Sequence, residues 1–296
     1  MLYRTIYIGS ASYLRLRLGQ MKIICAETQA ERGSIPIEDL GLLMLDHSQI
    51  TLTHQLMQAL MSNGVVLLCC DDSHLPIGMM LPLYGHSSHS RRVREQIEVS
   101  EPLKKQLWKQ TVEAKIRNQS KVLEELDLDA GPMATYLSGV RSGDTSNMEG
   151  IAAQYYWRQL FGKDFCRDRE GGGANPLLNF GYAVLRSIVA KAIVETGLLP
   201  VLGIFHRNRY NPYCLADDLM EPYRPVVDRA VLRWLSVFPR DYDLSGGAKA
   251  ELLKIASADV RLGGKWHPLL VAVKMTVSSL YSCYKGEKRQ LLYPEL

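Results

Sequence analysis

The chain is poor in the pairings that build soft-metal sites and covalent frameworks. Its six cysteines, Cys25, Cys69, Cys70, Cys166, Cys214 and Cys283, include no CxxC pair. A zinc cluster or a disulfide framework therefore has no spacing to support it. Cys25, Cys69 and Cys70 instead sit within apolar runs, which suits reduced, buried thiols. Unbroken apolar stretches are also lacking: none reaches the ~18 residues of a membrane helix. The N-terminal MLYRTIYIGSASYLRLRL alternates apolar with polar and arginine residues. It has neither the apolar block nor the cleavage site of a signal peptide, so it reads as strand, and a cytoplasmic location with no membrane partner is expected. There is no internal repeat and no low-complexity tract. GGGANP (171–176) is glycine-rich but lacks the P-loop pattern and follows no strand, so a hinge or mobile loop is expected there.

What is present is ordinary in bulk and uneven in detail. A chain of 296 residues, 47% hydrophobic and 22% charged, is close to the soluble globular average and long enough for one large or two ordinary domains. The first ~85 residues carry strand signals. TIYI, YLRLRL and MKIICA are short runs separated by Gly-Ser and Gly-Gln turn signals, and GLLMLD (41–46) and VVLLCC (65–70) read as strands buried on both faces. Between the last two, THQLMQALMSNG (53–64) predicts a helix, with Thr53 as N-cap and Gly64 as stop. YGHSSHS (84–90) reads as a linker. Beyond it, helical spacing predicts elements at about 91–127, 146–161, 176–196, 213–238, 248–259 and 267–285. The expected fold is α+β multidomain: an N-terminal β-rich domain (1–85), a linker (86–90) and a larger all-α C-terminal domain (91–296).

The net charge of +4 says little, but its distribution says more. Residues 91–121 hold nine basic side chains (Arg91, Arg92, Arg94, Lys104, Lys105, Lys109, Lys115, Arg117, Lys121) against four glutamates, a local +5. Such a stretch can neutralise phosphates, and its plainer reading is a solvated helix face.

Chemistry is suggested by GIFHRNRYNPYCLADDLMEPYRP (203–225). A cation that activates an oxygen nucleophile needs two or three anionic oxygens and open positions for substrate. One imidazole shifts the preference from magnesium towards manganese, with both usable. Asp218 and Glu221 share a helix face, as do Asp217 and Glu221; spacing alone does not choose, and Asp217 also fits a cap. His206 precedes the helix, where a loop can fold it back. A third acid is Glu149, in SGDTSNMEGIAAQYYWRQLFG (142–162), although Ser146 and Glu149 also fit a capping box. Tyr155, Tyr156 and Trp157 follow it, an aromatic run that suits core packing and can also stack on bases. Pro222 removes a backbone donor and leaves the helix open to a kink just past the acids. The other histidines, His47, His54, His74, His86, His89 and His267, read as structural.

Glu149 in NMEG, the run NPLLNFGYAVLRSIVAKAIVETGLLPVLGIFH, and NPYCLADDLMEPYRP together resemble the CRISPR-associated integrase, Cas protein one. PIEDLGLLMLDHSQITLTH (36–54) extends the resemblance, and SEPLKKQLWKQTVEAKIRNQ (100–119) looks like the form that accompanies a type II system. It covers nearly the whole chain with several ordered motifs. The resemblance implies an N-terminal β domain, a C-terminal α domain and a homodimer joined through the β domain. It implies a metal site and catalytic set of Glu149, His206 and Glu221, with magnesium or manganese. Asp218 is implied near the metal or on it through water, and Asn179 and Tyr182 near the site. The implied activity is metal-dependent cutting or joining of DNA: a 3′-hydroxyl of a short foreign duplex attacks a phosphodiester of the CRISPR array. The implied partners are double-stranded DNA (incoming spacer and array) and a dimer of Cas protein two, with the type II effector nuclease and an accessory adaptation protein as further candidates. Arg91, Arg92, Arg94, Lys104, Lys105 and Lys109 then become a duplex track. Two rivals remain: a DNA-binding scaffold without catalysis, which has no use for the three converging groups, and a small-substrate phosphohydrolase, which has no use for a long basic face.

Overall fold

The computed structural model describes residues 4–83 and 85–296. Met1, Leu2 and Tyr3 of the predicted first strand, and Tyr84 of the predicted linker, lie outside the described residues.

The N-terminal lobe contains β1 (Arg4–Ile8), β2 (Ser12–Arg17), β3 (Gln20–Cys25), β4 (Glu31–Pro36), β5 (Leu40–Leu45), β6 (Ile50–Leu52), α1 (His54–Ser62), β7 (Val66–Cys70) and β8 (Pro76–Met80). They form two four-stranded sheets, ordered β4-β3-β2-β6 and β1-β5-β7-β8. Leu18 and Gly19, both at positive φ, make the two-residue turn between β2 and β3, the geometry that matches strand twist. Thr53 caps α1 as predicted, its hydroxyl accepting from the Leu56 N–H at 3.3 Å.

The apolar runs of β5 and β7 have a physical reason in the alternation of strand side chains. Leu43 and Leu67 point into a core shared with α1 and the first sheet. Leu42, Met44, Val66 and Leu68 point the other way, into the core of the helical lobe. A strand covered on both faces must be apolar throughout. Cys69 differs from its expected burial: it is exposed near the end of β7, with Cys70 half-buried, past the residues that the two cores cover.

The helical lobe holds α2 (His89–Ile97), α3 (Glu101–Glu125), α4 (Gly131–Gly139), α5 (Met148–Phe161), α6 (Asn175–Glu195), α7 (Cys214–Met220), α8 (Arg224–Val237), α9 (Gly246–Leu253) and α10 (Leu269–Tyr284). The single helix expected over 91–127 is two, because Ser100 and Pro102 restart the chain as α3 with proline in its first turn. The helix expected to reach 259 stops earlier. Strands β9 (Asp259–Leu262) and β10 (Lys265–Pro268) form a hairpin about Gly263-Gly264, both at positive φ. β9 alternates exposed and buried residues, which is period two and not a helix.

α6 runs through the centre. By length and composition alone it is long and apolar enough to cross a membrane, but Arg186 and Lys191 interrupt its apolar run and most of it is buried inside the protein. Each large apolar side chain it buries contributes ~1.5–3 kcal/mol. Gly181 has no Cβ because one there would stand 2.4 Å from Val227 Cγ1, so α8 lies directly against α6. This contact brings Tyr182 of α6 beside Asp228 of α8.

A buried ionic cluster joins the lobes. Asp46, just past β5, accepts from the Tyr7 hydroxyl and from Lys249 Nζ of α9, each at 2.6 Å, and bonds His74 Nδ1 at 2.8 Å.

Candidate active site

Glu149 occupies the first turn of α5. Asp144 caps that helix: its two carboxylate oxygens accept from the Met148 N–H at 2.9 Å and the Glu149 N–H at 3.0 Å. The expected Ser146–Glu149 capping box is absent. Asn147 turns left-handed (φ 52°), and the Ser146 hydroxyl donates to the Gly139 carbonyl at 3.1 Å. The Glu149 carboxylate, released from capping, meets the ammonium of Lys115 on α3.

Glu221 follows α7 in a single 3₁₀ turn, Glu221–Tyr223, which passes directly into α8. Pro222 therefore tightens the chain here without breaking it. Asn118 of α3 donates to the Pro222 carbonyl at 2.7 Å. Glu221 Oε2 lies 2.6 Å from Lys115 Nζ, and Oε1 lies 2.9 Å from Arg224 Nε. Burial pushes the Glu221 carboxyl up, but the Arg224 guanidinium and then Lys115 outweigh it and hold it below the usual carboxylate range. Neither Glu221 Oε2 nor Arg224 Nε has an aligned hydrogen bond, although both are buried.

His206 lies in the loop before α7, held by Asp218. Asp218 Oδ2 accepts the Ile204 and Phe205 N–H groups at 2.7 and 2.9 Å, and Oδ1 meets His206 Nδ1 at 2.6 Å. Gly203 makes the loop possible, since a Cβ there would be 2.4 Å from the His206 carbonyl oxygen and 2.7 Å from Asp218 Oδ2. The Asp218 hydrogen bond raises the His206 pKa against the opposing effect of burial. With Nδ1 engaged, Nε2 is the nitrogen left to bind, the arrangement in which a carboxylate orients an imidazole ligand. Trp108 stacks on Phe205 at 4.3 Å and meets the imidazole edge-on at 5.6 Å. Asp217 takes another direction, to Arg186 at 2.6 Å and Asn211 at 2.7 Å. Of the two neighbouring acids, Asp218 is the one joined to His206.

Beside the two glutamates lies a cavity of about 270 Å³, whose lining includes Lys115, Gln119, Glu149, Glu221, Arg224 and Asp228. Asp228 accepts from the Tyr182 and Tyr156 hydroxyls at 2.5 and 3.0 Å. Burial, against these neutral donors, pushes its carboxyl up to about 7. Two guanidiniums approach the Tyr182 ring, Arg224 at 4.7 Å and Arg167 at 5.2 Å from its centroid. Asn179 accepts from Arg167 Nη2 at 2.7 Å. Asn179 and Tyr182 thus position arginines at the cavity. The 171–173 glycines lead into α6, whose Asn175 side chain ties Arg167 Nη1 at 2.8 Å.

The structure joins Glu149 to Glu221 through Lys115 and fixes His206 to Asp218. His206 stands within electrostatic reach of Glu221 but opens on a different cavity. Among the described residues no group of three or more His, Cys, Asp or Glu side chains is arranged to hold a metal ion. The donor set nevertheless fits a hard divalent cation: two carboxylates, an oriented imidazole, and in Glu221 Oε2 a buried anionic oxygen whose partner is the Lys115 ammonium alone.

Of the basic residues, Arg91, Arg94, Lys105, Arg117 and Lys121 are exposed. Arg91, Lys104 and Lys109 pair with Glu95, Glu101 and Glu113 at 3.8, 3.4 and 3.6 Å. Arg92 is turned inward, donating to the Thr196 carbonyl at 2.6 Å and lying 4.1 Å over the Tyr281 ring. Tyr156 is core, and Trp157 packs with Phe161 and Phe165. Sequence reasoning missed Lys115, Arg167, Arg224 and Asp228. The signal for Lys115 was its place beside the apolar Val112 and Ile116, on the helix face that also buries Gln119; Asp228 stands two helical turns after Glu221 on the same side.

The fold defines a class, a two-sheet β lobe set against a helical lobe that carries the acidic site. A casposase bound to integration product shares it with a TM-score of 0.80 at 21% identity, over 98% of this chain and 92% of that one. A Cas6-RT-Cas1–Cas2 complex shares it at 0.75 and 17% identity, over all of this chain and 36% of that one. In sequence, the family described as CRISPR associated protein Cas1 matches residues 6–237. The CRISPR-associated endonuclease Cas1 of Neisseria meningitidis serogroup C (strain 8013) is 36% identical over 299 aligned residues, covering 100% of this chain and 97% of that protein. The chain belongs to the Cas1 family.

Proposed function

We propose that this chain is a divalent-metal-dependent DNA nuclease and integrase of CRISPR adaptation, acting in the cytoplasm. It inserts short foreign duplexes into the CRISPR array as a homodimer with a Cas2 dimer, and magnesium or manganese is its cofactor. The type II effector nuclease and an accessory adaptation protein are further proposed partners. Family membership supports the reading, as do a relative named as an endonuclease and a casposase captured with an integration product. The observation that carries it is the convergence of Glu149 and Glu221 on one buried point at the edge of an arginine-lined cavity.

Glu149, Glu221 and His206 Nε2 would hold the ion. When bound it would lower the pKa of an attacking hydroxyl and offset the negative charge on the phosphoryl oxygens. Asp218 fixes the tautomer of His206, keeping its proton on Nδ1 and its lone pair on Nε2. Arg224 and Arg167 face the cavity as planar donors suited to phosphate oxygens. Attack by a 3′-hydroxyl forms one phosphodiester and releases another 3′-hydroxyl, so no covalent enzyme intermediate and no side-chain nucleophile is needed.

The test is strand transfer of a short duplex into a supercoiled CRISPR-array plasmid, with purified Cas2 partner and manganese. Wild type joins DNA, and EDTA or His206→Ala abolishes joining while DNA binding persists. Joining that survives EDTA overturns the metal role. Binding without joining by wild type favours a scaffold.

A further inference from the structure

We infer that Lys115 is a resident counterion that holds the Glu149–Glu221 pair until a divalent cation replaces it, and that Gln119 receives its ammonium when it leaves. The inference rests on the metal-ligand reading of the two glutamates.

Two carboxylates sharing one buried point repel, and without a cation one of them would take up a proton. Lys115 and Arg224 supply two positive charges against the two negative ones, so the metal-free cluster is neutral. Arg224 is anchored along Glu221 Oε1. Lys115 holds both carboxylates through a single point charge, so a cation held by the two glutamates would compete with it. Its hold on the two carboxylates is a close, charge-assisted contact that an incoming cation has to displace. A lysine is also the cation most able to leave, a charge on a flexible four-carbon stem.

The place it goes to is equally specific. Gln119 lies one turn further along α3 on the same face. It is 2% exposed, and its Oε1 is buried without a hydrogen-bond partner. Lys115 and Gln119 line the same cavity of about 270 Å³, which gives the ammonium room to turn. A buried acceptor left unpaired costs free energy. Here that cost is relieved when the incoming ion displaces Lys115 from the carboxylates. The cluster then exchanges one positive charge for two, with the ammonium retained nearby on a neutral acceptor.

Manganese binding to the full chain, read by the electron paramagnetic resonance of free Mn²⁺, tests this alongside melting in EDTA. Lys115→Met removes the competitor, so Mn²⁺ binds about tenfold tighter, equivalent to one charge-assisted hydrogen bond that no longer has to be broken. The same variant melts lower than wild type in EDTA and gains more from Mn²⁺. Gln119→Met removes the receiving acceptor: Mn²⁺ binds about fivefold more weakly, of the order of one neutral hydrogen bond, while melting in EDTA is no lower. Unchanged or weaker Mn²⁺ binding by Lys115→Met overturns the inference. Should that variant fail to fold without metal, unchanged or tighter binding by Gln119→Met overturns it instead. Glu149→Gln separates the two levels. If wild type binds Mn²⁺ and Glu149→Gln does not, an unaltered Lys115→Met refutes only the role of Lys115. If wild type binds none, or Glu149→Gln binds as well as wild type, the metal reading and the inference fall together.

Discussion

Two buried ionic clusters sit in this molecule, and they are built differently. At the junction of the lobes, Asp46 meets Lys249, Tyr7 and His74, and none of the polar atoms that meet there is left unpaired. At the site, Glu149, Glu221, Lys115 and Arg224 are equally charged, yet Glu221 Oε2 and Arg224 Nε meet their partners only in ion pairs without an aligned hydrogen bond, and the neighbouring Gln119 Oε1 is buried without a partner. A saturated network fixes one arrangement; an unsaturated one is held ready for a component that arrives later. The buried aspartates carry the same contrast. Burial would raise Asp46, but Lys249 and the other donors overcome it and its pKa falls, whereas Asp228, bonded to neutral phenols, is pushed up to about 7.

Substitutions should separate the two clusters cleanly. Glu149→Gln is expected to lower strand transfer by about 10³-fold or more, the several kcal/mol that a metal clamp supplies. Its DNA affinity and unfolding midpoint should stay near wild type, and a fall in stability comparable to the loss of activity would make the site structural. Lys249→Met is the converse. Leaving Asp46 buried without its cation should cost about 3–5 kcal/mol in denaturant unfolding, with strand transfer per folded molecule unchanged.

A smaller effect follows from pH. Asp228 holds its proton in the fold up to about 7, while the unfolded carboxyl releases it near 3.8. The folded state therefore binds more protons in that window, and this group's contribution to stability falls as pH rises through it. Asp46 has the opposite sign: its lowered pKa adds stability above 3.8 that is lost as pH drops through the folded value. Urea unfolding of metal-free protein should become less steeply dependent on pH between about 4 and 7 in Asp228→Asn, and an identical slope would place the titration elsewhere. The smallest effect lies outside both clusters. Replacing Lys104, Lys105 and Lys109 by Gln should weaken DNA binding and reduce its salt slope by about one for each of these lysines that neutralises a phosphate. An unchanged slope returns this stretch to a solvated helix face.

Elements governed by local rules were legible in the sequence. The Thr53 cap, the doubly covered β5 and β7, and the central α6 follow from capping and periodicity alone. The β9–β10 hairpin was not, because Gly263-Gly264 also reads as a break between helices. Within the site, the acids and His206 could be named, but their partners depend on chain crossings. Lys115 looks like one more cation of a basic helix until α3 is seen to bury that face against α5 and α8. The capping of α5 turned on Asp144 and on a left-handed Asn147, neither of which a spacing rule detects.

The stacking of Trp108 on Phe205, edge-on to His206, makes the site optically addressable. An indole beside an imidazole loses emission when the ring carries its second proton and recovers it when that proton is released. Substituting Trp157, Trp234 and Trp266 by Phe would leave Trp108 as a single fluorophore, so that the protonation of His206 could be followed in real time during DNA capture, with no label attached.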